Sequence, residues 1–110
     1  VTEFTLLYST FPDADSAREA ARILVANHAV ACVNLIPDLT SIYECEGAMQ
    51  EENEVLFLAK TTTESAPQAI YSLRQQHPYD TPCITLIPIS GGDENYLEWI
   101  KNAVFTKKSG

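Results

Sequence analysis

Few side chains in this chain can do acid–base, nucleophilic or metal chemistry near neutral pH. They are two histidines, His28 and His77, and three cysteines, Cys32, Cys45 and Cys83. The cysteine count is odd and no pair is spaced as Cys-x-x-Cys, so neither a disulfide framework nor a zinc-type site is indicated. Cys32 stands between Ala31 and Val33 and reads as a small buried hydrophobe. The functional alternative is a soft ligand for Cu(I), which needs further ligands across a subunit interface. His77 precedes Pro78-Tyr79. It reads either as a cap on a helix C-terminus or as a metal ligand or polar group in an intersubunit cleft. His28 reads as a helix end, and Cys45 and Cys83 read as packing residues.

Between residues 23 and 59 there is no Lys or Arg, but Asp38, Glu44, Glu46, Glu51, Glu52 and Glu54 fall there. They read as a solvated projection. Collection of hard cations is the alternative, and it lacks the EF-hand spacing. Cys32 with His77 makes a nucleophile–base pair on paper, but an apolar strand raises a thiol pKa and leaves it inert. Lys60 followed by Thr61-Thr62-Thr63 lacks the glycines of a phosphate loop. Gly91-Gly92 precedes a helix, yet Asp93 and Glu94 repel a phosphate there. No catalytic residue is assigned, and the chain is expected not to be an enzyme.

These residues need elements to hold them. Residues 4–10 (FTLLYST) alternate as a strand. Pro12, Asp13 and Asp15 open a helix with a stripe of Ala17, Ala20, Ala21 and Leu24, ending near Asn27-His28. Residues 29–36 form a second strand, interrupted at Pro37-Asp38 and resumed over residues 40–46. Gly47-Ala48 reads as a hairpin turn into a long third strand, residues 49–63. Ser65 and Gln68 have capping-box spacing at the start of a second helix, which carries Ala66, Ala69, Ile70 and Leu73 and stops at His77-Pro78. Residues 83–89 form a fourth strand. Asp93 caps a third helix bearing Tyr96, Leu97, Ile100, Ala103 and Val104, and residues 106–110 read as a frayed tail. Trp99 and Tyr96 read as aromatic packing on that helix.

The order β-α-β-β-α-β plus one helix predicts an α+β fold, a ferredoxin-like split βαβ sheet with an overlong β2–β3 hairpin. All 110 residues are expected to form a single domain. Its own helices cover one sheet face, yet the strands carry apolar residues on both, so other subunits are the economical cover. Fifteen acidic against seven basic residues give a net charge of −8 and a pI near 4.5. Nucleic acid and anionic membrane surfaces are therefore excluded as expected partners. The longest apolar run is five residues, too short to span a bilayer, and Val1-Thr2-Glu3 lacks the features of a secretion signal. Unpaired cysteines favour a reducing, cytoplasmic compartment.

Several motifs occur in order: Ala31-Cys32-Val33-Asn34-Leu35-Ile36-Pro37, Ser41-Ile42-Tyr43, Glu46-Gly47, Lys60-Thr61-Thr62, His77-Pro78-Tyr79 with Pro82, and Tyr96-Leu97-Glu98-Trp99-Ile100. In this the chain resembles the CutA family, the divalent-cation tolerance proteins. The resemblance implies a homotrimer similar in architecture to the PII signalling proteins, a cytoplasmic location, a link to copper and other divalent cations, and no established catalytic reaction. It implies Cys32 and His77 as metal ligands, and Lys60, Tyr79 and Trp99 as motif residues of a ligand cleft. The alternatives are an adaptor trimer that binds a protein partner and a PII-like sensor. Ser9 and Gln76 stand where some members carry the cysteine and second histidine associated with copper. Cys45 and Cys83 replace an aromatic and an acidic residue of the family pattern.

A charge placed at Phe57 or Leu58 is expected to cost several kcal/mol of folding or assembly. Glu51→Lys and Glu52→Lys are expected to stay within about 0.5 kcal/mol. Thermal melts compare the two sets, and equal losses would refute the strand assignment.

Overall fold

A computed structural model of the chain describes residues 2–108. The elements run β1 (Phe4–Phe11), α1 (Ala14–Ala26), β2 (Cys32–Cys45), β3 (Ala48–Thr62), α2 (Ala66–Gln76), β4 (Ile84–Ile89) and α3 (Glu94–Lys108). The strands lie in the order β2-β3-β1-β4 with every neighbouring pair antiparallel. β1 and β2 are thus parallel with β3 between them, and β3 and β4 are parallel with β1 between them. This is the ferredoxin-like arrangement expected from the sequence.

Register decides which residues share a face. Leu7 lies opposite Ala59 and Leu86, Ser9 opposite Phe57 and Ile84, and Phe11 opposite Val55. On this face α1 packs Ala17, Ala20 and Leu24, and α2 packs Ala69 and Leu73, against Leu7, Phe11, Phe57 and Ala59. Alanine at the contacts lets each helix lie close to the strands. Asp13 caps α1 by accepting from the Ser16 N–H at 2.8 Å. The other face carries Leu6, Tyr8, Ile36, Leu56, Leu58, Lys60 and Ile87. There α3 covers one end only, setting Ile100 and Val104 against Ala31, with Phe4, Leu97 and Ala103 around them. The remainder stays open, with Ile36 47% and Ile87 44% exposed.

Several expectations need correction. β2 is not interrupted at Pro37-Asp38. A bulge shifts the register between Ile36 and Leu39, Asp38 takes φ 66°, and the ladder resumes with Leu39 opposite Glu54. The hairpin turn is Glu46-Gly47, with φ 53° and 82°, closed by the pair Cys45–Ala48. Both central residues take positive φ, as a two-residue turn matched to strand twist requires. The Ser65–Gln68 capping box does not form. Ser65 is already helical in backbone and makes no side-chain cap bond, while its N–H donates to Thr62 Oγ1 at 3.1 Å. Helix α3 continues to Lys108 where a frayed tail was expected, and residues 109–110 of that tail lie outside the described residues. Tyr96, expected in the packed stripe of α3, is 41% exposed.

The hairpin outreaches the sheet. β1 accompanies β3 only as far as Val55, so residues 48–54 of β3 pair with β2 alone. At the centre of the covered face, Ser9 is fully buried and its hydroxyl has no hydrogen-bond partner among the described residues. Such an orphan carries its desolvation penalty without return. Ser9→Ala is therefore expected to leave stability unchanged or raise it by about 1 kcal/mol in urea unfolding. A loss larger than that would mean that the hydroxyl has a partner.

Candidate functional site

One group of polar side chains gathers at the base of the hairpin, on the face that α1 and α2 leave open. Glu54 immediately precedes the apolar run of β3 and lies, with Glu52, two residues away, on the face that carries Leu56 and Leu58. The bulge in β2 brings Ser41 beside it. Ser41 Oγ donates to Glu54 Oε1 at 2.6 Å, and the Tyr79 hydroxyl donates to Oε2 at 2.7 Å. As a whole residue Glu54 is only 6% exposed. Burial, followed by its bond to the Glu54 carboxylate, pushes the Tyr79 phenol far above the ordinary tyrosine value, so it stays protonated and donating. Glu54 was expected in a solvated acidic projection. It is instead enclosed, because β1, the bulged β2 and the segment after α2 all meet there.

These residues wall a cleft of about 530 Å³, lined further by Tyr8, Thr10, Tyr43, Glu52 and Cys83. A hydrogen bond to Glu52 raises the pKa of Tyr43, with burial adding to it. Cys83, expected as a packing residue, is exposed at the cleft, and burial of its thiol followed by the Glu54 charge raises its pKa. Cys45, also expected to pack, is exposed near the hairpin turn. Neither has a core to pack into, because both lie where the helices do not reach.

His77 is the C-cap of α2, and its ring is held from both sides. Nε2 lies 2.8 Å from the Thr10 carbonyl, and the Tyr79 N–H donates to Nδ1 at 3.2 Å. Those partners assign a neutral ring protonated on Nε2. The ring also stacks on Phe11 with centroids 4.1 Å apart. Burial lowers the His77 pKa, and its bond to the Thr10 carbonyl and the Glu54 charge only partly oppose that.

Cys32, Lys60 and Trp99 lie at the other end of the open face. Cys32 is half-buried, not sealed in an apolar strand, and its Sγ lies 3.7 Å from the Tyr96 hydroxyl. Lys60 Nζ donates to Asn34 Oδ1 at 2.6 Å and sits 5.9 Å from the centre of the Tyr96 ring. Tyr96 stacks with Trp99, which is 48% exposed and so is not packed within the chain. Cys32 pairs with Lys60, whereas Thr10 pairs with Leu56. Four residues of β3 place these two points roughly 13 Å apart. A single chain therefore brings Tyr79 to His77, and Lys60 to Cys32 and the Trp99 stack, but does not bring Cys32 to His77. His28 has left the end of α1 with φ 61°, and its Nδ1 lies 3.1 Å from the Ala103 carbonyl.

The fold and motifs have relatives. The family model for the CutA1 divalent ion tolerance protein matches residues 5–103. The chain belongs to the CutA1 family. It is 41% identical to the divalent-cation tolerance protein CutA of Thermus thermophilus over 92 residues, which is 84% of this chain and 89% of that one. It is 35% identical over 98 residues to the chloroplastic CutA protein of Arabidopsis thaliana, covering 89% of this chain and 54% of the relative. The crystal structure of CutA from Xylella fastidiosa superposes with a TM-score of 0.91 at 33% identity, covering 94% of this chain and 99% of that one. Against the CutA pattern, the two departures at Ser9 and Gln76 lie apart from the cleft. Ser9 is in the core beneath the helices, and Gln76 is exposed at the end of α2.

The most consequential residue of the cleft, Glu54, was not singled out by sequence reading. One signal was present. Among the hairpin acids it alone abuts the apolar run, in phase with Leu56 and Leu58.

The neutral His77 gives a pH test. Its folded pKa lies below the ordinary value of 6.5, so the unfolded chain binds the proton first as pH falls. Its contribution to stability is complete above pH 6.5 and is lost as pH drops through the lowered folded value. Melting temperature is expected to fall with acidification in that window, and less steeply in His77→Gln. Parallel pH profiles for the two proteins would contradict this account.

Proposed function

We propose that this chain acts in the response to divalent cations, copper among them, as a non-catalytic cytoplasmic homotrimer that binds a cation or small ligand between its subunits. One observation carries the reading: half of a sheet face rich in Leu, Ile and Tyr has no cover from the chain's own helices. Soluble proteins rarely leave such a face wet, and identical subunits around a closed axis can hide it in each copy. The names of the relatives support the divalent-cation part and mention no catalytic activity. Three unpaired cysteines suit a reducing compartment. No helix among the described residues is long and apolar enough to cross a membrane, and the acidic charge disfavours nucleic acid.

Copper fits poorly within one chain. The described residues hold no group of three His, Cys, Asp or Glu side chains arranged for a metal ion. Both nitrogens of His77 have protein partners, and Cys32 lies at the far end of the face. Ligation through Cys32 and His77 would require donors from different copies. The exposed Tyr96–Trp99 stack on α3 favours a second reading, an adaptor trimer whose third helices and hairpins engage a protein. A PII-like sensor role has only the likeness of fold behind it.

Native mass spectrometry with and without Cu(II) tests assembly and metal count together. A mass of three chains is expected, and a stable monomer at micromolar concentration would refute the assembly. Any copper taken up is expected to be lost in Cys32→Ser or His77→Ala, and kept when Glu51 and Glu52 are both changed to Gln. Loss only in the hairpin variant would overturn that assignment, and no uptake by the wild type shifts the reading to the adaptor.

A further inference from the structure

We draw no further inference here: the strongest candidate, the apolar groove between helix α1 and the edge strand β2 that Ala21, Val25, Ala26 and Val33 line together with Arg22, is an unpartnered face for which nothing in the structure shows what covers it.

Discussion

A four-stranded sheet has two faces, and this chain makes enough helix to bury most of one, Leu86 of β4 staying 42% exposed, and the end of the other. The rest of the structure follows from that shortage. Alanine-lined α1 and α2 sit flush on Leu7, Phe57 and Ala59 and give the chain its core. Helix α3 reaches only the Ala31 end of the opposite face. What remains open there is apolar in its middle and polar at its hairpin end. Cys32, Lys60, Glu54, Tyr79 and Cys83 lie on or beside that open surface, whereas the His77 ring stacks on Phe11 of the covered face.

Much of this was legible beforehand. Alternating Phe4, Leu6 and Tyr8, the Ala17–Ala20–Leu24 stripe and the proline after His77 each fixed one element, because each rests on local sterics or on a period. The two-faced apolar strands pointed to an uncovered surface that the exposed Ile36 and Ile87 bear out. The boundaries that failed were set by events outside their own window. Pro37-Asp38 looks like a break, but pairing to β3 on both sides carries the strand across it as a bulge. Ser65 looks like a cap, but the preceding turn already occupies its N–H with Thr62.

The site was harder to read than the fold. His77 and Tyr79 drew notice as a motif, and they do sit together. The family resemblance implies Cys32 and His77 as metal ligands with partners across a subunit interface, and register places the two far apart within one chain. Glu54 was counted as one acid among six in a basic-free stretch, and nothing local separates an enclosed glutamate from a solvated one. Its burial comes from three segments distant in sequence, β1, the bulge of β2 and the turn after α2. Only tertiary structure brings them together.

The overlong hairpin behaves as a lever with a defined fulcrum. Within one chain the two strands have only each other beyond Val55, so in a lone chain the arm can open from the Glu46-Gly47 turn inward at little cost to the sheet. That opening meets its first tertiary tie at Glu54, where Ser41 joins the two arms and Tyr79 fastens both to the body of the domain. Amide protons outside that point should exchange with solvent in step with one another, and those inside it only when the whole sheet gives way. The same carboxylate that shapes the cleft thus marks the point at which the two-stranded arm is first tied to the body of the domain.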